Sequence, residues 1–182
     1  MREEERMSDA VKQCLEIIDR AIQFEDTGIN FFEDRAGKSA STLEKNLYRS
    51  LAKDEIGHKQ YLEQLRKELT QSNKVEDMSP ASGQHPTARH IFESAMSGAH
   101  DPYDYKSEQL EILKGAMEVE RKGFAMYSKA VDAVESKHAK QIFRHLAAEE
   151  QKHYVLLKNT YDYMADPEAW NEFDEGPMLD GG

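Results

Sequence analysis

The second half of this sequence repeats the first in one register, at an offset of 95 residues and without a gap. The pattern A-x-x-x-E-x-x-G stands at Ala21, Glu25 and Gly28 and again at Ala116, Glu120 and Gly123. An aromatic residue, Phe32 or Tyr127, follows each glutamate by seven positions. The pattern L-A-x-[DE]-E-x-x-H stands at Leu51, Ala52, Asp54, Glu55 and His58, and again at Leu146, Ala147, Glu149, Glu150 and His153. Leu62 then falls on Leu157. Two motifs held in one register point to a duplicated unit, and that unit carries one motif on each of two elements.

Those elements read as helices. Val11, Leu15, Ile18, Ile22, Phe24, Ile29 and Phe32 recur at helical spacing, which predicts a helix from about Ser8 to Ala36 with Gly37 as its stop. Ser41 with Glu44 three residues on has the form of a capping box. It opens a second helix, carrying Leu43, Leu47, Leu51, Ile56, Tyr61, Leu62 and Leu65 to about Thr70. A third helix is predicted from about Ser107 to Val134 and a fourth from about Lys137 to Met164. All five prolines lie outside these four stretches, so none is interrupted by the strongest helix breaker. Short connections make each pair an antiparallel hairpin.

Residues 72–104 hold three of the five prolines and two of the ten glycines, and are too long for an ordinary loop. They read as a crossover between the hairpins, with a short helix possible over 87–97. The expected fold is therefore all-α: a four-helix bundle over residues 1–165, built from two repeated hairpins, followed by an acidic tail over 166–182 without regular structure.

The repeated residues have a common chemistry. Positions i and i+3 share a helix face, so Glu55 with His58, and Glu150 with His153, each aim a carboxylate and an imidazole at one point. Glu25 and Glu120 stand mid-helix among apolar neighbours, where a carboxylate is expensive unless it is paired or binds a metal. A single E-x-x-H is ordinarily surface charge. Two of them, each preceded by a mid-helix Glu at the same offset, are not. Four carboxylates and two imidazoles balance two divalent ions, and oxygen-plus-imidazole ligation without sulfur suits iron or manganese, and zinc less selectively.

One Glu from each of two helices and Glu-x-x-His from each of the other two is the ligand arrangement of ferritin-like di-metal bundles. The sequence resembles that superfamily, and within it the rubrerythrin family, in its near-symmetric halves and long central crossover. The resemblance implies that Glu25 and Glu120 each serve one metal, that Glu55 and Glu150 bridge the two, and that His58 and His153 bind one each. It implies outer roles for Asp54 and Glu149, as acceptors from the far nitrogen of a ligand histidine on a facing helix, and for Tyr127, two turns beyond Glu120. His85, His90, His100, His138 and His145 fall outside the pattern and are expected to be non-ligands. Typical rubrerythrins often carry a further Glu one turn from the third-helix ligand, where this chain has Met117 and Gly123, and a C-terminal rubredoxin domain, for which this sequence shows no C-x-x-C pair.

Other classes are excluded on composition. The lone Cys14 permits no intramolecular disulfide and no cysteine-based metal site, and reads as a small apolar filler. With 24 Lys plus Arg against 35 Asp plus Glu, the net charge of −11 argues against nucleic acid as a partner. No apolar run approaches the ~20 residues of a membrane span. The opening MREEERMSDAVKQ is charged and has no signal-peptide core, so a cytoplasmic location is expected. The expected activity is rubrerythrin-like: two irons, or Fe with Mn, reacting with hydrogen peroxide or dioxygen in oxidative-stress defence. An external electron-donor protein would supply the reductant. The expected assembly is a homodimer, with helix exchange through the crossover allowed. Iron binding or storage of the ferroxidase type is the alternative.

Overall fold

The computed structural model describes residues 7–80, 87–97, 105–168 and 170. Four long helices form two hairpins: α1 (Asp9–Lys38) with α2 (Thr42–Ser72), and α4 (Ser107–Ala133) with α5 (Lys137–Ala165). A 3-10 turn (Val75–Asp77) and a short helix α3 (Ala88–Met96) lie between them. The fold is the all-α bundle expected. None of the described helices is long and apolar enough to cross a membrane.

Local chemistry sets where the helices begin. Ser8, Ser41, Thr87 and Ser136 each stand in extended backbone at an N-cap, and each side chain accepts the backbone N–H three residues on. Such a bond satisfies one of the donors that a helix start leaves orphaned. Two expectations about boundaries are corrected. Gly37 does not stop α1, which runs on to Lys38 with Arg35 and Lys38 in its last turn, where cations oppose the helix dipole. The Ser41–Glu44 box closes on one side only. Ser41 Oγ accepts from the Glu44 N–H at 3.4 Å, but the Glu44 carboxylate, 2% exposed, takes the amide of Gln109 on α4 at 2.6 Å. A buried carboxylate needs a strong donor, and the cross-bundle amide provides one.

Ion pairs fix the register of the first hairpin. Arg66 Nε meets Asp19 and Lys59 Nζ meets Asp26, each at 2.6 Å, so α2 runs back along α1. The core falls into two apolar clusters, one at each end of the bundle. Phe32, Leu47, Tyr48, Leu51, Leu113 and Leu156 anchor one end. Ile18, Leu62, Leu65, Tyr127, Phe143 and Leu146 anchor the other. Cys14 is buried in the second cluster, as expected of an apolar filler. Ile56 departs from its expected place on the apolar face of α2: it is 36% exposed.

α3 crosses over α2 and α5, and Asn46 Nδ2 donates to the Ala95 carbonyl at 3.3 Å. Beyond α5, the Trp170 ring lies 5.2 Å from Phe92 and 5.6 Å from Tyr163, which ties this first part of the tail to α3. His138 Nε2 sits against the Met78 carbonyl and His90 is exposed, while His85, His100 and the tail from 171 lie outside the described residues.

α2 ends at Asn73, which is left-handed with φ 54° and donates its N–H to the Leu69 carbonyl at 3.0 Å. Asn tolerates this backbone and residues with an ordinary Cβ do not. Replacing Asn73 with Ala is expected to lower stability by ~1 kcal/mol in urea unfolding, and Asn73→Gly to leave it within a few tenths.

Candidate metal centre

Between the two apolar ends, four helices place six polar side chains together. Glu25 comes from α1, Glu55 and His58 from α2, Glu120 from α4, and Glu150 and His153 from α5; none is more than 3% exposed. Helical periodicity does the positioning. The i, i+3 spacing of each Glu/His pair turns both groups inward on one face, and each lone Glu sits at the matching level of the partner helix.

The six fall into two overlapping quartets. Glu25, Glu55, His58 and Glu150 present one ligand atom each within 4.8 Å of one another, and so do Glu55, Glu120, Glu150 and His153. Glu55 and Glu150 belong to both. His58 Nδ1 lies 3.0 Å from Glu55 Oε2, 3.5 Å from Glu150 Oε1 and 3.9 Å from Glu25 Oε2. His153 Nδ1 lies 2.9 Å from Glu55 Oε1 and 3.5 Å from Glu120 Oε2. The imidazole rings stand 5.5 Å apart, tilted by 25°.

This geometry fits a pair of cations. Both oxygens of Glu120 and Oε1 of Glu150 are buried without a hydrogen bond. Glu55 Oε1 and His153 Nδ1 approach to 2.9 Å, yet are not aligned as donor and acceptor. Buried polar atoms are rarely left so, because each forfeits its hydration. Lone pairs that converge on a point without meeting a proton suit a metal placed there. The electrostatics of the cluster point the same way. Burial first, and then the neighbouring carboxylate of Glu55, push Glu25, Glu120 and Glu150 above the ordinary glutamate range. Burial acts on Glu55 too, but His153 and His58 outweigh it and hold this carboxylate low. Burial disfavours the charged imidazole of His153, and Glu55 and Glu120 overcome it and raise its pKa. The cluster is short of positive charge, which two divalent ions would supply.

The flanking residues divide. Tyr127 is fully buried and its hydroxyl donates to Glu25 Oε1; burial, then Glu25 and Glu150, hold the phenol well above its usual pKa. Asp54 Oδ2 lies 3.5 Å from His153 Nε2, the nitrogen turned away from the cluster. Its counterpart Glu149 is 3% exposed and holds Lys152 Nζ at 2.6 Å.

The paired glycines also differ. A Cβ on Gly28 would meet Glu55 Cγ at 3.5 Å, an ordinary contact. A Cβ on Gly123 would fall 2.3 Å from Glu150 Oε2 and 2.9 Å from the Phe24 ring. Gly123 is therefore the space that the Glu150 carboxylate occupies. Sequence reasoning treats the two glycines as equivalent members of the repeat. It missed Phe24, whose place over Gly123 depends on how α1 and α4 approach across the bundle, which periodicity within one helix does not encode.

Comparison with known proteins agrees with this architecture. The rubrerythrin family model matches residues 16–161, a stretch that includes all six clustered side chains. No curated protein and no solved structure matches the chain.

Two predictions follow from the cluster itself. Gly28→Ala is expected to stabilise the metal-free fold by up to ~1 kcal/mol, the ordinary helix preference. Gly123→Ala is expected to displace Glu150 and lower metal affinity at least tenfold with little change of fold, read by equilibrium metal titration and circular dichroism. The second concerns pH. Glu25, Glu120 and Glu150 bind protons more tightly folded than unfolded, so above the ordinary value of 4.5 the metal-free folded state carries the extra protons. Its stability then falls as pH rises through the raised values. Divalent ions displace those protons, so Mn(II) or Fe(II) should raise Tm more at pH ~7.5 than at pH ~5.5 in calorimetry.

Proposed function

Because the chain belongs to the rubrerythrin family, we propose that it is a di-iron oxidoreductase that reduces hydrogen peroxide or dioxygen in oxidative-stress defence, with manganese able to replace one iron. The observation that carries this reading is the pair of quartets sharing Glu55 and Glu150. Two separate sites would not need common ligands. Shared carboxylates hold two ions close enough to act on one small molecule.

In this reading Glu25 and His58 would serve one ion, Glu120 and His153 the other, and Glu55 and Glu150 would be shared by both. The ions supply electrons and Lewis acidity. The protein's own residues do the rest. Tyr127 holds Glu25 by its hydroxyl, which fixes one carboxylate oxygen and leaves the other turned toward His58. Asp54 faces the outer nitrogen of His153, so the inner one points at the cluster. The buried setting, with every one of the six at 3% exposure or less, fits a reactant of two to four atoms and keeps bulk water away. Gly123 contributes no ligand, so the further third-helix carboxylate of typical rubrerythrins has no equivalent at that position. Reducing equivalents would come from a separate donor protein.

Stopped-flow mixing of the ferrous protein with H2O2 and with O2 tests the proposal. Iron oxidation is expected to be at least ~100-fold faster in the native protein than in Glu55→Ala for at least one oxidant, since the variant loses a ligand of both ions. Equal rates for both oxidants would end the reading.

A further inference from the structure

We propose that the outer face of α2 that carries Arg49, Lys53 and Ile56, with His90 of α3 beside it, is the docking surface for an acidic one-electron carrier protein. Electrons pass from it to the cluster by way of Asp54 and His153. This rests on the redox reading above and gives it a partner and an entry point.

Charge makes the face unusual. The chain carries −11 overall, yet Arg49 and Lys53, four residues apart on one helix, are both exposed and neither has an anionic partner within 4 Å among the described residues. Lys45 extends the row by one turn toward the start of α2. Like charges at this spacing destabilise a helix, so the row is a local cost without a local return. Most other cations on this helix and its neighbour are neutralised, as Lys59 is by Asp26, Arg66 by Asp19 and Lys38 by Asp34. His90, exposed on α3, lines the same groove of about 470 Å³ as Arg49 and Lys53.

An apolar contact accompanies the charge. Ile56 is one of two large apolar side chains exposed at 36% among the described residues, and at 100° per residue it falls on the arc of α2 shared by Lys45, Arg49 and Lys53. An exposed aliphatic group at the end of a row of unpaired cations fits a partner with acidic groups beside an apolar contact.

The face also stands beside a path inward. Asp54 follows Lys53 in the chain, and its side chain is 18% exposed. Asp54 Oδ2 lies 3.5 Å from His153 Nε2, and His153 Nδ1 lies 2.9 Å from Glu55 Oε1. Two side-chain contacts thus join the surface to the cluster. The duplicated half keeps Lys140 and Arg144 where this face has Lys45 and Arg49, but it lacks the other parts of the route. Ala148 stands where the repeat would put Lys53, Gln151 where it would put Ile56, and Glu149, with a side chain only 4% exposed, is capped by Lys152. Electron balance requires the carrier. Each H2O2 takes two electrons and two protons to become two waters, and the carrier supplies the electrons singly.

The test uses the full chain loaded with iron and then oxidised. Its reduction by a reduced, acidic plant-type [2Fe–2S] ferredoxin is followed by stopped-flow absorbance, with a dithionite titration of the same samples for electron uptake. Arg49→Glu with Lys53→Glu is expected to slow ferredoxin-driven reduction at least tenfold. The native rate should fall steeply with added salt, and the charge-conserving pair Arg49→Lys with Lys53→Arg should retain it. Electron uptake from dithionite should be the same in all three. A charge-reversed variant that takes electrons from ferredoxin at the native rate, with dithionite uptake intact, would overturn the docking surface and leave the redox reading standing. Native protein that takes no electrons from dithionite would overturn the redox reading and this proposal with it.

Discussion

Four carboxylates drawn into the dry middle of a helical bundle set the terms for everything around them. Like charges at this range repel strongly once water is removed, and the two imidazoles answer only part of that charge. The titration directions record the imbalance: three glutamates are driven toward their neutral form, and only Glu55, between both histidines, stays low. A cluster of this kind is tolerable in a folded protein if cations complete it. The apolar clusters at both ends provide the stability that the polar middle withholds, with Phe32, Tyr48 and Leu51 on one side and Ile18, Leu65 and Phe143 on the other.

The same constraint explains small features of the frame. Glu44, buried far from the cluster, cannot be left to its own helix cap and instead takes the Gln109 amide across the bundle. Tyr127 is a core aromatic by position, and its hydroxyl goes to Glu25 because no buried donor or acceptor there can be wasted. Gly123 weakens its helix, yet the volume that a methyl group would fill is taken by the Glu150 carboxylate. Tyr127 and Gly123 serve the polar centre directly, and Glu44 meets the same need for a partner at a distance from it.

Much of this was legible from residue order. The four long helices, the short helix over 87–97 and the six converging side chains follow from two periodicities, 3.6 within a helix and 95 between the halves. What remained hidden depends on contacts between helices. Gly37 has the residue type of a stop, but with open space around it and ordinary backbone the helix simply continues. Ile56 is apolar, but at 100° per residue it falls opposite the buried arc of Leu47, Leu51, Leu62 and Leu65 and faces outward. Gly28 and Gly123 are indistinguishable in the repeat, and only the approach of Glu150 and Phe24 separates them.

Duplication first makes the halves equal, and the departures from equality then show where each half has acquired its own work. The inner residues have barely diverged, because two ions held symmetrically need matched ligands from both hairpins. The outer faces are under no such restraint. Asp54 remains shorter and partly exposed where Glu149 is longer, buried and paired with Lys152. Lys53 and Ile56 stand where the other half has Ala148 and Gln151. A symmetric centre can be reached equally well from either side, so nothing in the chemistry of the cluster requires the outside to differ. Both flanks carry an arginine, Arg49 or Arg144, and the differences at Lys53, Asp54 and Ile56 are what a single point of entry would leave behind.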